Sequence, residues 1–127
     1  MGFDQYHEPP EELSQPTRTL ARMFASLTEE AEAINWYEQR LSVEQDEEGR
    51  AIIEDARHEE YKHFAMDLEF LLRRRPEWGS IARGILFRDG EITANADAAE
   101  EGEAPGGETA AGDESLGIGS LRPRAGR

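Results

Sequence analysis

From Thr17 to Val43 no glycine or proline interrupts the chain, and a second long run ends only where Pro76 stops it. Two such segments in a chain this short point to an all-α architecture: two long helices joined by a tight turn, an antiparallel hairpin. Ser14 followed by Pro16 opens the first helix, one residue able to cap it and the other preset for its first turn. Met23, Leu27, Glu30, Ile34, Tyr37 and Leu41 then recur at spacings of 4, 3, 4, 3 and 4, which is one continuous helical stripe. Glu30 is its only charged member. Glu44 to Gly49 reads as the turn, with Asp46 as the N-cap of the second helix and Glu47 and Glu48 in its first turn.

The second helix is ambiguous in rotation. Ile53, Ala56, Glu60, His63, Asp67 and Phe70 form one stripe, and Ile52, Ala56, Glu59, His63, Met66 and Phe70 form a neighbouring stripe that fits equally well. His63 is inward in both, whereas periodicity leaves Glu59 and Glu60 undecided. Pro76 to Phe87 reads as a short third helix weakened by Gly79 and Gly84, and the Arg73–Arg75 run suits the negative end of the helix dipole.

A carboxylate in an apolar stripe is costly unless it is paired or bound to metal. Glu30 lies about 16 residues before the centre of the turn and Glu60 about 14 after it, so at about 1.5 Å rise per residue they face each other to within one turn. His63, one turn beyond Glu60, adds a nitrogen ligand on the same face. A two-metal bundle site takes a Glu from each of two helices and a Glu-x-x-His from each of two others. One copy of this chain supplies half of that set, and a twofold-related copy would supply the rest. The competing reading is a buried Glu–His pair without metal. Glu29 and Glu32 fall on a separate face of the first helix, where they could form an acidic path or a secondary cation site, an ordinary solvated helix face being the competing and simpler reading. His58 and His7 read as surface residues.

Composition narrows the chemistry. The 127 residues include no cysteine, so disulfides, zinc–thiolate sites and iron–sulfur clusters are excluded, and carboxylate and imidazole remain for iron, manganese or zinc. A chain of this size is expected to need association or metal for stability. Its formal charge of −14 disfavours nucleic acid and anionic membranes as partners. Met1 to Glu12 lacks the basic start and apolar run of a signal peptide, and no apolar stretch is long enough to span a membrane, so the cytoplasm is the expected location.

The chain divides into an N-terminal extension (1–13), the helical region (14–92), an acidic linker (93–114), an apolar peptide (115–122) and a terminal extension (123–127). The first 88 residues carry a net −8, and between Asp89 and Leu121 there are nine acidic residues and no Lys or Arg. Thr93 to Glu114 contains no aromatic or large aliphatic residue, so it is expected to be disordered, with a reach of roughly 25 Å as a flexible coil. Then Ser115, Leu116, Gly117, Ile118, Gly119, Ser120, Leu121 and Arg122 restore spaced apolar anchors and a basic end, the form of a docking peptide. An oligomer displaying several copies would gain avidity.

The run Glu29 to Arg40 (EEAEAINWYEQR), the later Glu59 to His63 (EEYKH) and the terminal Ser115 to Arg122 (SLGIGSLR) together resemble the encapsulated ferritins, ferritin-like cargo of encapsulin nanocompartments. The resemblance implies a subunit that is half a ferritin-like four-helix bundle, dimerising to complete the bundle and assembling into a ring, a decamer. It implies a ferroxidase centre of Glu30, Glu60 and His63 from each of two subunits, thereby choosing Glu60 over Glu59, with two iron ions per dimer and Fe(II) and O2 as substrates. Glu29 and Glu32 match an acidic metal-access site, Trp36 and Tyr37 match aromatics beside the centre, and residues 115–122 match the encapsulin-targeting peptide. Pro123 and the Arg-rich end depart from the simplest form of that peptide. Iron oxidised by the ring would be stored as mineral inside the shell. The alternative is a non-catalytic, metal-binding helical cargo protein.

Overall fold

A computed structural model describes residues 5–102, which fall into two compact units meeting between Arg74 and Arg75. The described residues are helical with no strand. The first unit is an α1–α2 hairpin, α1 spanning Gln15–Val43 and α2 Glu47–Arg74, preceded by a single 3-10 turn at Pro10–Glu12.

The ends of both long helices form where local chemistry dictates. The Ser14 hydroxyl accepts a hydrogen bond from the Thr17 backbone N–H at 3.2 Å, satisfying one of the four free donors of the first turn. Arg18 donates to the Pro10 carbonyl and so ties the preceding turn to α1. At the other end Asp46 begins α2 as expected: its Oδ2 accepts from the Gly49 N–H at 2.8 Å, and its own N–H donates to Glu44 Oε2 at 2.9 Å. The Arg50 guanidinium then reaches back to the carbonyls of Leu41 and Glu44, closing the C-terminus of α1 from α2 and fixing the tight reversal.

The seam between α1 and α2 contains little apolar matter. Leu20 and Leu41 of α1 and Leu71 of α2 are the buried large side chains, and Leu71 alone is fully enclosed. The structure answers the rotational ambiguity of α2: Ile53, Ala56, Glu60, His63, Asp67 and Phe70 are all partly sheltered, while Ile52, Glu59 and Met66 are exposed. A second tie crosses the seam farther from the turn than Arg50, where Arg57 Nη1 and the Tyr61 hydroxyl both donate to Glu38 Oε2, at 2.9 and 3.3 Å.

The second unit contains α3, Pro76–Arg83, and α4, Ile92–Glu100. Two expectations need correction. The third helix stops at Arg83, and the connection to α4 runs through left-handed backbone at Phe87 (φ 61°) and Gly90 (φ 100°). In addition, the segment expected to be a disordered linker from Thr93 is helical as far as Glu100. This helix needs no large side chain, because Ala99 is buried by close approach to Gly84; Gly79 and Ala82 of α3 are buried as well. A Cβ on Gly84 would lie 2.5 Å from that of Ala99. Asn95 anchors the start of α4 by donating to the Asp89 carbonyl at 3.0 Å. The remainder of that linker from residue 103, the peptide 115–122 and the extension 123–127 lie outside the described residues. No described helix is long and apolar enough to cross a membrane.

Candidate metal centre

Midway along the hairpin, α1 contributes Glu30 and α2 contributes Glu60 and His63, and one ligand atom from each lies within 4.8 Å of the other two. No other group of three or more potential His, Asp or Glu ligands converges in this way among the described residues. The convergence follows from two periodicities: Glu30 sits in the inward stripe of α1, and Glu60 and His63 are one turn apart in the inward stripe of α2.

The oxygens of this group are poorly satisfied. Glu30 Oε1 and Glu60 Oε1 are shielded from solvent without a hydrogen-bond partner. His63 Nδ1 is 3.4 Å from Glu60 Oε1, a contact too poorly directed to count as a hydrogen bond. Glu60 is the more sheltered of the two, with 22 % of its side chain exposed against 45 % for His63, so the imidazole edge stays open to an incoming ion or a neighbouring molecule.

Electrostatics sharpen the picture. The Glu30 carboxyl is pushed up to about 8, first by its partial removal from water, then by its nearness to the Asp67 carboxyl and by the negative charges of Asp67, Glu60 and Glu29. Each of these causes disfavours the ionised carboxylate at this point, and a bound cation would offset them by stabilising that form. Glu59 behaves oppositely. Its carboxylate is held below the usual range by the Lys62 ammonium, 2.9 Å away on the exposed side of α2.

The donor set of two carboxylates and one imidazole suits iron, manganese or zinc, and two solvent-shielded carboxylate oxygens without partners in one group are what a divalent ion would relieve. Three protein ligands do not fill the coordination sphere of such an ion. The other residues singled out by sequence do not join the group. Glu29 is exposed and Glu32 partly so; Trp36 faces solvent beside Gln39 and Arg40, and the Arg40 guanidinium lies 5.5 Å from the Tyr37 ring. His58 is exposed and tilted against Tyr61. Asp67 occupies the same inward stripe as Glu60 and His63 without being a candidate ligand from the sequence; its electrostatic influence on Glu30 is what sets it apart.

The EncFtn-like family model matches residues 5–89, a span that contains the hairpin and all three converging residues. The chain belongs to the EncFtn-like family. It is 44 % identical over 124 residues to an encapsulated ferritin-like protein of Rhodospirillum rubrum, an alignment covering 94 % of this chain and 89 % of the relative. It is also 45 % identical over 118 residues to a ferritin-like protein of Thermotoga maritima, covering 93 % of this chain and 98 % of that one. Among solved structures, a protein of Nitrosomonas europaea superposes with a TM-score of 0.68 at 40 % identity, covering 70 % of this chain and 99 % of its own. An EncFtn-like chain with a hairpin of this kind has a ferritin-like fold in which two long helices stand where a ferritin bundle has four.

Proposed function

We propose that this protein is an O2-dependent ferroxidase that converts Fe(II) to Fe(III) at a di-iron site shared by two copies of the chain. The observation carrying the reading is the convergence of Glu30, Glu60 and His63 with two carboxylate oxygens left unpartnered. Two chains related by a twofold axis would bring together two of each residue, enough to ligate two ions. Carboxylates between the ions offset their mutual repulsion. Anionic oxygen donors also favour Fe(III) over Fe(II), and the imidazoles leave positions open for oxygen. Each Fe(II) gives up one electron, and the two electrons with two protons take O2 to hydrogen peroxide. Glu29 and Glu32 provide an acidic approach for Fe(II), and Trp36 and Tyr37 lie at the face that the second copy covers. Dimers assemble further into an annular decamer.

The same reading makes the chain cargo of an encapsulin shell in the cytoplasm, addressed by residues 115–122, with the shell storing the mineral that an open ring cannot. Support comes from the encapsulated relative of Rhodospirillum rubrum and from the spaced Leu116, Ile118 and Leu121 beyond the acidic stretch.

Anaerobic titration with Fe(II), followed by admission of air, tests the activity. A ferroxidase binds Fe(II) to saturation at two ions per dimer and then develops Fe(III) absorbance; saturable binding with no absorbance growth means a metal-binding cargo protein instead. Co-expression with the shell tests the address. A chain ending at Glu114 should be absent from purified shells, and its retention there would exclude residues 115–122 as the targeting segment.

A further inference from the structure

We propose that Phe87 of one copy of the chain seats in a concavity formed by Pro76, Trp78 and Ile81 of another copy, making this the contact through which dimers join; it rests on the assembly reading above. Phe87 combines two anomalies. It is 94 % exposed, the most exposed large apolar side chain among the described residues, and its backbone is left-handed at φ 61°, which brings Cβ too close to the following carbonyl oxygen. A turn in water has no use for that combination, since glycine or asparagine would relieve the backbone and a polar side chain would suit the solvent. Strain retained under an exposed aromatic ring is the mark of a side chain held out for a partner. Leu86 before it and Ile92 at the start of α4 are exposed as well.

The receptor lies on the same unit. Arg75, Pro76, Glu77, Trp78 and Ile81 line an open, mainly apolar concavity of about 440 Å³, and the exposed Phe87 does not fill it within its own chain. The two surfaces match in charge as well as in polarity: Glu77 stands at the rim, Arg88 follows the ring, and neither is in an ion pair among the described residues. Arg88 Nε donates to the Arg83 carbonyl at 3.1 Å, which keeps the guanidinium beside the connection that carries Phe87. An aromatic anchor in an apolar pocket with a charged rim is how strong contacts are commonly built. What selects a second copy over another partner is that one chain carries both halves of a contact it does not make with itself. The contact uses none of the residues that complete the metal centre.

The test follows the mass of the full chain by sedimentation and light scattering over a dilution series, with and without anaerobic Fe(II). Phe87→Gly removes the ring and relieves the backbone, so a damaged turn cannot account for what it does. It should raise the concentration needed for assembly beyond the dimer by about 30-fold or more, the loss expected of an aromatic anchor, with circular dichroism unchanged. Arg88→Glu should raise it by about two- to fivefold, and Glu77→Arg in the same chain should recover the loss. Because the chain has no cysteine, Arg88→Cys and Glu77→Cys chains mixed under mild oxidation should form a disulfide between copies, in excess over either chain alone. A Phe87→Gly chain that assembles like the wild type would overturn the proposal, and so would failure of the mixed disulfide. If Phe87→Gly assembles normally but is lost from co-expressed shells, the shell protein, not a second copy, is the occupant. A wild type that stays dimeric at every concentration removes the assembly reading and this contact with it, whereas a larger wild type untouched by Phe87→Gly removes the contact alone.

Discussion

The two ends of the hairpin and its middle use the same seam for different purposes. Leu20 and Leu71 are buried at the open end and Leu41 beside the turn, where the backbone is also tied by Ser14, Asp46 and Arg50. Between them the inward positions are occupied by Glu30, Glu60, His63 and Asp67, with oxygens that lack partners. The ends supply stability and fix the register; the middle, with its unpartnered oxygens, gives up stability, which under the proposed function it would exchange for chemistry. The middle is unsatisfied and large side chains such as Trp36, Ile52 and Met66 remain exposed on a single chain, and the proposed association of two copies would close the site and cover that apolar surface together.

The sharpest break of this contrast is removal of a converging ligand. Glu30→Ala and His63→Ala should each lower Fe(II) oxidation by about 100-fold or more, beyond the loss expected for an outer residue, while circular dichroism remains that of the parent. Unchanged turnover in either would refute the ligand assignment. Next in size, Leu71→Ala at the fully enclosed end position should cost about 2–5 kcal/mol in denaturant melts. Glu30→Leu, in the middle of the same seam, should raise the stability of the metal-free protein by on the order of 1 kcal/mol. A destabilising Glu30→Leu would mean that the middle is not strained.

The pH response distinguishes the middle more subtly. The Glu30 carboxyl titrates near 8 in the fold against an ordinary 4.5, so its contribution to stability is complete below pH 4.5 and is lost as pH rises through 8. Metal-free wild type should therefore lose melting temperature relative to Glu30→Gln across that window, and Fe(II) or Co(II) binding should tighten over the same range as the proton is displaced. A constant difference between the two proteins would contradict the shift. The smallest effects belong to the ties. Ser14→Ala should cost about 1 kcal/mol as a lost N-cap, and Glu38→Ala, which breaks the solvent-exposed pair with Arg57, about 0.2–1 kcal/mol.

The hairpin was readable from sequence because its signals are local and redundant: a cap at Ser14, another at Asp46, a stop at Pro76 and unbroken periodicity between. The convergence of Glu30 and His63 followed from the same periodicity and the length of the turn. The choice of Glu60 over Glu59 did not, because the two differ by one 100° step on a helix whose apolar pattern fits both; that choice depends on how α2 rotates against α1. Helix α4 was missed because the absence of large aliphatic residues in Thr93–Glu100 argued for disorder, whereas Ala99 packs into the space left by the missing side chain of Gly84 and alanine is the best helix former. Asp67 was legible as an inward position, but not as a charge that bears on Glu30, since that depends on how the two helices face each other.

The central claim is that catalysis requires two copies of the chain. It is tested most directly by following Fe(III) formation per chain, at a fixed ratio of Fe(II) to protein, while the protein is diluted and its mass is monitored by light scattering. The account expects the rate per chain to fall in step with the fraction of associated chains and to vanish in the monomer. A monomer that oxidises Fe(II) at the undiminished rate would contradict it.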